Sequence, residues 1–137
     1  MKRIYRQPTP LGRHDLERAR AERDVPVICE AAIALALTEP DRHWMERQLV
    51  ELMRDADGSV RSIAALAVGH LARVHGQIDL ELVMPVLQDL VEDSEACGNA
   101  ANALDDISTF VHYGNADDGI MRVVDATDVG DEYADLG

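Results

Sequence analysis

Apolar residues recur at helical spacing along most of the chain. In residues 57–76, one stripe of a helical wheel carries five apolar side chains at alternating steps of four and three: Val60, Ala64, Ala67, Leu71 and Val74. Asp57 stands before this stretch as a capping residue, and Gly76 closes it. Several stripe residues are smaller than the leucine that is usual in a helix core. The pattern therefore predicts an amphipathic helix that approaches its neighbours closely.

The same stripe occurs three times. A shift of 36 residues places Ala96, Ala100, Ala103, Ile107 and Phe110 on the five positions. An earlier copy runs from Asp24 to Leu37 and stops before Pro40, because proline cannot continue a helix. Three copies in phase predict a repeat of one structural unit.

Two further amphipathic segments, 41–55 and 79–93, lie between these helices. Pro85 in the second segment either marks a helix that starts late or kinks one that starts at Asp79. Repeats of about 35–40 residues with two helices each are typical of an α-solenoid. Small residues then allow neighbouring repeats to pack closely, so they need no catalytic explanation.

The stretch DADGSVRSIAALAVGHLARV resembles the bacterial HEAT-like repeat of the PBS-lyase type, whose first helix reads D-x-x-V-R-x-x-A-A-x-A-L-G. The matching residues are Asp57, Val60, Arg61, Ala64, Ala65, Ala67 and Gly69, with Val68 at the leucine position. VMPVLQDLVED resembles the second helix of that repeat. The resemblance implies an all-α fold, a short α-solenoid of about three helical hairpins with an N-terminal capping helix and an acidic C-terminal tail.

The chain is expected to form one domain. Its predicted parts are an extended arm (1–10), a capping helix (11–23), three repeats (24–56, 57–92 and 93–126) and an acidic tail (127–137). The third repeat is expected to end in a short helix at about 117–126.

Charge narrows the class of partner. The formal net charge is −13, which argues against a nucleic-acid or anionic-membrane binder and favours a basic protein. Residues 1–23 are basic, and two interpretations stay open for them: a cap on an acidic body or a separate anion-binding arm. The N-terminus has no apolar segment of a signal peptide, and the apolar run at 31–37 is too short to span a bilayer, so a cytoplasmic location is expected.

The sequence contains no motif of a catalytic or metal site. HExxH, GxSxG, CxxC and a glycine-rich phosphate loop are all missing, and Cys29 and Cys97 are typical of thiols in a reducing compartment. The prediction is a protein that is not an enzyme and binds no cofactor or metal.

The resemblance implies that the second helices of the hairpins line the partner-binding face. The predicted contact residues there are Trp44, Arg47 and Glu51 on the first of these helices and Asp89 and Glu92 on the second. Asp105 and Asp106 form a second candidate patch. Two alternatives stay open: the single Trp packs against the capping helix, and the charged positions are simply solvated.

Residues 69–107 also resemble small stand-alone bacterial HEAT-repeat immunity proteins. This resemblance implies a non-catalytic protein that binds and neutralises a cognate basic toxin domain, with a nuclease as one candidate. The alternatives are a general HEAT-repeat scaffold or adaptor and a bilin-lyase-like enzyme. A lyase needs a chromophore pocket, against which the low aromatic content argues.

Overall fold

A computed structural model describes residues 11–113 and 121–122. Six helices make up this part: α1 (Arg13–Glu22), α2 (Val25–Thr38), α3 (Arg42–Leu52), α4 (Gly58–His75), α5 (Leu80–Leu90) and α6 (Cys97–Phe110). Two two-residue strands, β1 (His112–Tyr113) and β2 (Met121–Arg122), pair antiparallel after α6. The fold is all-helical and solenoid-like, as predicted, apart from this short ladder.

Aspartates begin four successive helices. Each side chain accepts a hydrogen bond from a backbone N–H of the first turn, at 2.8–3.4 Å: Asp24, Asp41, Asp57 and Asp79. These bonds satisfy amides that have no partner within the helix. Part of the chain's acidity is therefore used to start helices.

The helices form two layers. In the first layer α4 lies between α2 and α6, with α1 against the other side of α2; in the second, α3 packs on α4 and on α5, and α5 packs on α6. Close approach in the first layer depends on small residues. A Cβ at Gly69 of α4 would lie 3.4 Å from the Cα of Ala103 in α6. This contact explains why the central helix carries alanine and glycine where a core helix usually carries leucine.

The last residues of two predicted core stripes are exposed rather than buried. Val74 in α4 is 51% exposed and Phe110 in α6 is 38% exposed, although both belong to the stripes predicted to be buried. Both residues lie at the C-terminal ends of their helices, since α4 ends at His75 and α6 at Phe110.

Two predicted helix positions differ from the structure, and one open alternative is resolved. α6 starts at Cys97 rather than at Asp93, because residues 94–96 form turns whose amides at Glu95 and Ala96 bind the Asp93 side chain. Pro85 lies inside α5, which starts at Leu80 directly after its N-cap Asp79 and continues to Leu90, so the alternative of a helix that starts late is wrong. At Met121–Arg122 the structure has a strand that pairs with β1, so the helix predicted at about 117–126 is wrong at these positions. The rest of that helix, the arm 1–10 and the tail 127–137 lie outside the described residues.

Candidate partner-binding surface

Trp44 lies at the start of α3 beside the capping helix. Its backbone N–H donates to the Asp41 carboxylate at 3.0 Å, and the guanidinium of Arg13 in α1 lies 4.3 Å from the centre of its ring. A cation over an indole face is an attractive contact. One face of the ring is therefore occupied within the chain, and the side chain as a whole is half-buried.

The basic residues of α1 pair with acidic residues of the first hairpin, which consists of α2, α3 and the residues at their ends. Arg13 donates to Glu39 at 2.8 Å, and Arg20 donates to Glu51 at 2.8 Å. Arg23, the C-cap of α1, donates to both carboxylate oxygens of Asp55 at 2.8 and 2.9 Å. Two interpretations of the basic N-terminal segment were open. These arginines fit the first, a basic cap that pairs with an acidic body.

These pairs fix the charge state of the first hairpin. The hydrogen bond from Arg23 holds the pKa of Asp55 below its usual value, and the hydrogen bond from Arg13 does the same for the pKa of Glu39. Each carboxylate stays ionised at neutral pH but faces a neutralising cation. The predicted contact residue Glu51 likewise shares its charge with Arg20, whereas Arg47 is exposed on α3.

The acidic residues of α5 have no such partner. Asp89 and Glu92 are both exposed, one in α5 and one just after it, and no salt bridge to either occurs within the described part of the chain. Glu81, in the first turn of the same helix, is also exposed and unpaired there. α5 therefore presents negative charge directly to solvent.

The two acidic residues of α6 differ from each other. Asp105 is exposed and forms no salt bridge in the described part, whereas Asp106 is half-buried against α4, with Arg73 Nη1 at 3.9 Å from its carboxylate. Adjacent residues on a helix point about 100° apart. The structure therefore does not join them into one patch, and Asp105 alone faces outward.

Charge is divided between the two ends of the solenoid. Residues 11–73 contain nine Arg and eleven Asp or Glu, whereas residues 74–113 contain eight Asp or Glu and no Lys or Arg. Arg61 and Arg73 of α4 supply the cations that reach this second group, at Asp93, Glu95 and Asp106. The α5–α6 end is therefore the negative end of residues 11–113, and it includes four of the seven predicted contact residues.

An open groove between α2 and α4 has a volume of about 600 Å³. It is lined by Pro26, Cys29, Glu30, Ile33, Ala34 and Ile63. Burial and nearby carboxylates raise the pKa of the Cys29 thiol, which keeps it protonated and weakly nucleophilic. The lining has no aromatic side chain to stack on the chromophore that a bilin lyase handles.

Two further features concern membranes and metals. None of the described helices combines the length and apolarity that crossing a bilayer requires. Among the described residues, no three His, Cys, Asp or Glu side chains converge as ligands for a metal ion.

Two parts of this arrangement were not predicted from the sequence. The pairing of α1 was signalled by Arg13, Arg20 and Arg23, which share one face of a helix at steps of seven and three. Glu46, which is 1% exposed and accepts hydrogen bonds from Arg42 and from the Asp79 amide, carried no signal. Its position on the amphipathic wheel does not distinguish a buried carboxylate from a solvated one.

Comparison with solved structures shows a similarity over most of the chain. The chain is similar to a chain in the crystal structure of a CDI complex from Cupriavidus taiwanensis LMG 19424, with 28% sequence identity and a TM-score of 0.67. The similarity covers 80% of this chain and 98% of that chain. No protein-family model matches the sequence, and no curated protein does either.

Proposed function

We propose that this chain is an immunity protein that binds a cognate toxin domain and neutralises it. The observation that carries the proposal is the similarity to nearly the whole of a chain from a CDI complex. CDI, contact-dependent inhibition, pairs a toxin with an immunity protein. The all-helical solenoid of HEAT-like hairpins then serves as a rigid binding surface, and the chain performs no chemistry of its own.

The charge distribution supports a basic toxin. Within the described residues the carboxylates of Asp89, Glu92 and Asp105 form no salt bridge, and the stretch 74–113 to which they belong contains no Lys or Arg. A negative surface accelerates encounter with a positive one and orients the two proteins. A nuclease domain, whose substrate is polyanionic, has the positive surface that this end would cover. Inhibition then follows from steric occlusion of that surface.

The test combines capture with growth rescue. The tagged chain is used to capture its partner from a lysate of bacteria that encode it, and the captured protein is then expressed alone and together with this chain. We expect a basic protein that arrests growth alone, forms a one-to-one complex, and is harmless when co-expressed. Measurement of growth and of complex mass gives the result.

The same experiment separates the alternatives. A partner that does not impair growth, or several unrelated partners, would contradict the immunity function and favour a scaffold. Rescue by the triple variant Asp89→Lys, Glu92→Lys, Asp105→Lys as efficient as by the unmodified chain would refute the role of the acidic end. The triple variant Glu17→Lys, Glu22→Lys, Glu30→Lys makes the same charge change at the other end and serves as the matched control.

A further inference from the structure

The side of α5 that faces away from α3 carries three apolar residues. A shift of 38 residues superimposes α3 on α5 and places Arg42, Glu46 and Met53 on Leu80, Met84 and Val91, respectively. At 100° per residue, the last three fall within about 40° of one another on the helical wheel. We call Leu80, Met84 and Val91 the α5 edge.

In α3 the corresponding side is covered by the next unit. Glu46 and Met53 are each 1% exposed. The Glu46 carboxylate accepts the backbone N–H of Asp79 at 2.9 Å, and Arg42 donates to Gln77 at 3.2 Å. Both partners lie at the start of α5, so this side of α3 is the one that receives the next helix of the layer.

In α5 the same side is open. Leu80 and Met84 are half-buried and Val91 is 36% exposed, and in the described residues no further helix follows α5 in this layer. Leu80 and Met84 nevertheless pack against the core from one side. The α5 edge is therefore a fixed apolar strip shaped to receive one more helix.

The neighbours of the strip determine which helix fits. Glu81, Gln88 and Glu92 border it and are exposed. No Lys or Arg occurs anywhere in residues 74–113 to offset these carboxylates. An apolar strip flanked by carboxylates complements an amphipathic helix whose apolar stripe is flanked by basic residues.

We propose that the α5 edge is the docking site for a basic amphipathic helix of the partner protein. This inference rests on the proposed function and specifies where and how the toxin is held. Leu80, Met84 and Val91 bury apolar surface and slow dissociation, while Glu81 and Glu92 steer the incoming helix. The site differs from the predicted Trp44 anchor, one face of which Arg13 already occupies.

The experiment uses the full chain and a synthetic probe. The probe is a helical peptide of Leu and Lys at amphipathic spacing, about four turns long, and fluorescence anisotropy reports binding. Val91→Glu is expected to weaken binding about tenfold, because it replaces a buried valine contact by a charged side chain. The added negative charge of Val91→Glu would instead strengthen binding of the basic peptide if the interaction were purely ionic.

Val74→Glu is the matched control, since it makes the same change at an exposed valine near the end of α4. It should leave binding unchanged or slightly stronger. Binding that is equal or tighter with Val91→Glu would overturn the proposal, because the peptide would then be held by charge alone. Reversal of the peptide's Lys residues to Glu should abolish binding.

Two other occupants give different results, and either would overturn the proposal. If a segment of this chain covers the α5 edge, Val91→Glu lowers the melting temperature of the free protein and Val74→Glu does not. If a second copy covers it, sedimentation detects a dimer that Val91→Glu dissociates. A peptide that fails to bind while the captured toxin still forms its complex would leave the proposed function standing and refute this site.

Discussion

Single residues in the first layer set how closely the repeats approach. Ala64 and Ala100 are completely buried, and both lie on the stripes that the sequence predicts. A side chain larger than alanine at these positions must displace a neighbouring helix. Interiors of proteins are close-packed, so such a displacement is costly.

Ala100→Leu is therefore expected to lower the free energy of unfolding by about 1–3 kcal/mol through overpacking. The next residue, Ala101, is exposed on the same helix, and Ala101→Leu makes the same change without that strain. Urea denaturation followed by circular dichroism measures both. Equal stability of the two variants would show that the stripe is assigned to the wrong face of α6.

The free energy of unfolding is also expected to depend on Glu46, for a different reason. Its buried carboxylate accepts hydrogen bonds from Arg42 at 2.5 Å and from the Asp79 amide at 2.9 Å. Glu46→Ala leaves both donors without this acceptor, so we expect a loss of about 3 kcal/mol in the free energy of unfolding. Glu46→Gln retains an acceptor oxygen and should lose less. Chemical denaturation that finds Glu46→Ala within about 1 kcal/mol of the unmodified chain would contradict this role.

At the scale of elements, α1 is attached to the solenoid through a small apolar contact and through ion pairs. Leu16 and Ala19 are its buried residues, and its arginines pair with Glu39, Glu51 and Asp55. Short helices that bury little apolar surface depend on such contacts with the rest of the chain. The attachment of α1 should therefore respond to pH.

The expected response follows from the lowered pKa of Glu39 and Asp55. A carboxyl group with a lowered pKa in the folded state stabilises the fold above its unfolded-state pKa of about 4, and this stabilisation is lost as pH falls through the folded-state value. The melting temperature should thus fall as the pH is lowered below about 4. Arg23→Gln should make that fall shallower, and Arg18→Gln, on the same helix, should not. Parallel curves for all three proteins would argue against ionic attachment.

At the scale of the whole molecule, the two ends differ in available charge. Basic residues of α1 and the first hairpin offset most of the acidity in residues 11–73, whereas residues 74–113 carry eight Asp or Glu and no Lys or Arg. Long-range steering depends on uncompensated charge and is screened by salt. The effect of reversing a carboxylate on the association rate should therefore depend on which end of the molecule carries it.

Asp89→Lys combined with Glu92→Lys is expected to slow association with the toxin several-fold at low ionic strength, with a smaller effect at high salt. Glu22→Lys combined with Glu30→Lys reverses two exposed carboxylates in the half of the chain that is nearly balanced in charge, and should slow association less. Surface plasmon resonance at two salt concentrations measures both pairs. Association that ignores salt would mean that the toxin uses a surface other than the acidic end.

The sequence by itself determined the helices and their order, because helical periodicity, aspartate caps and proline positions are local signals. The recurring alanine stripe also indicated the solenoid, since burial between copies needs the same small residues in each copy. Only the tertiary structure decided three features that local signals do not contain. Arg20 pairs with Glu51, Glu46 is buried, and one side of α5 is open. Each of these depends on which residue from a distant part of the chain lies opposite. The net charge predicted a basic partner, but only the folded arrangement separates carboxylates neutralised within the chain from those exposed at its negative end.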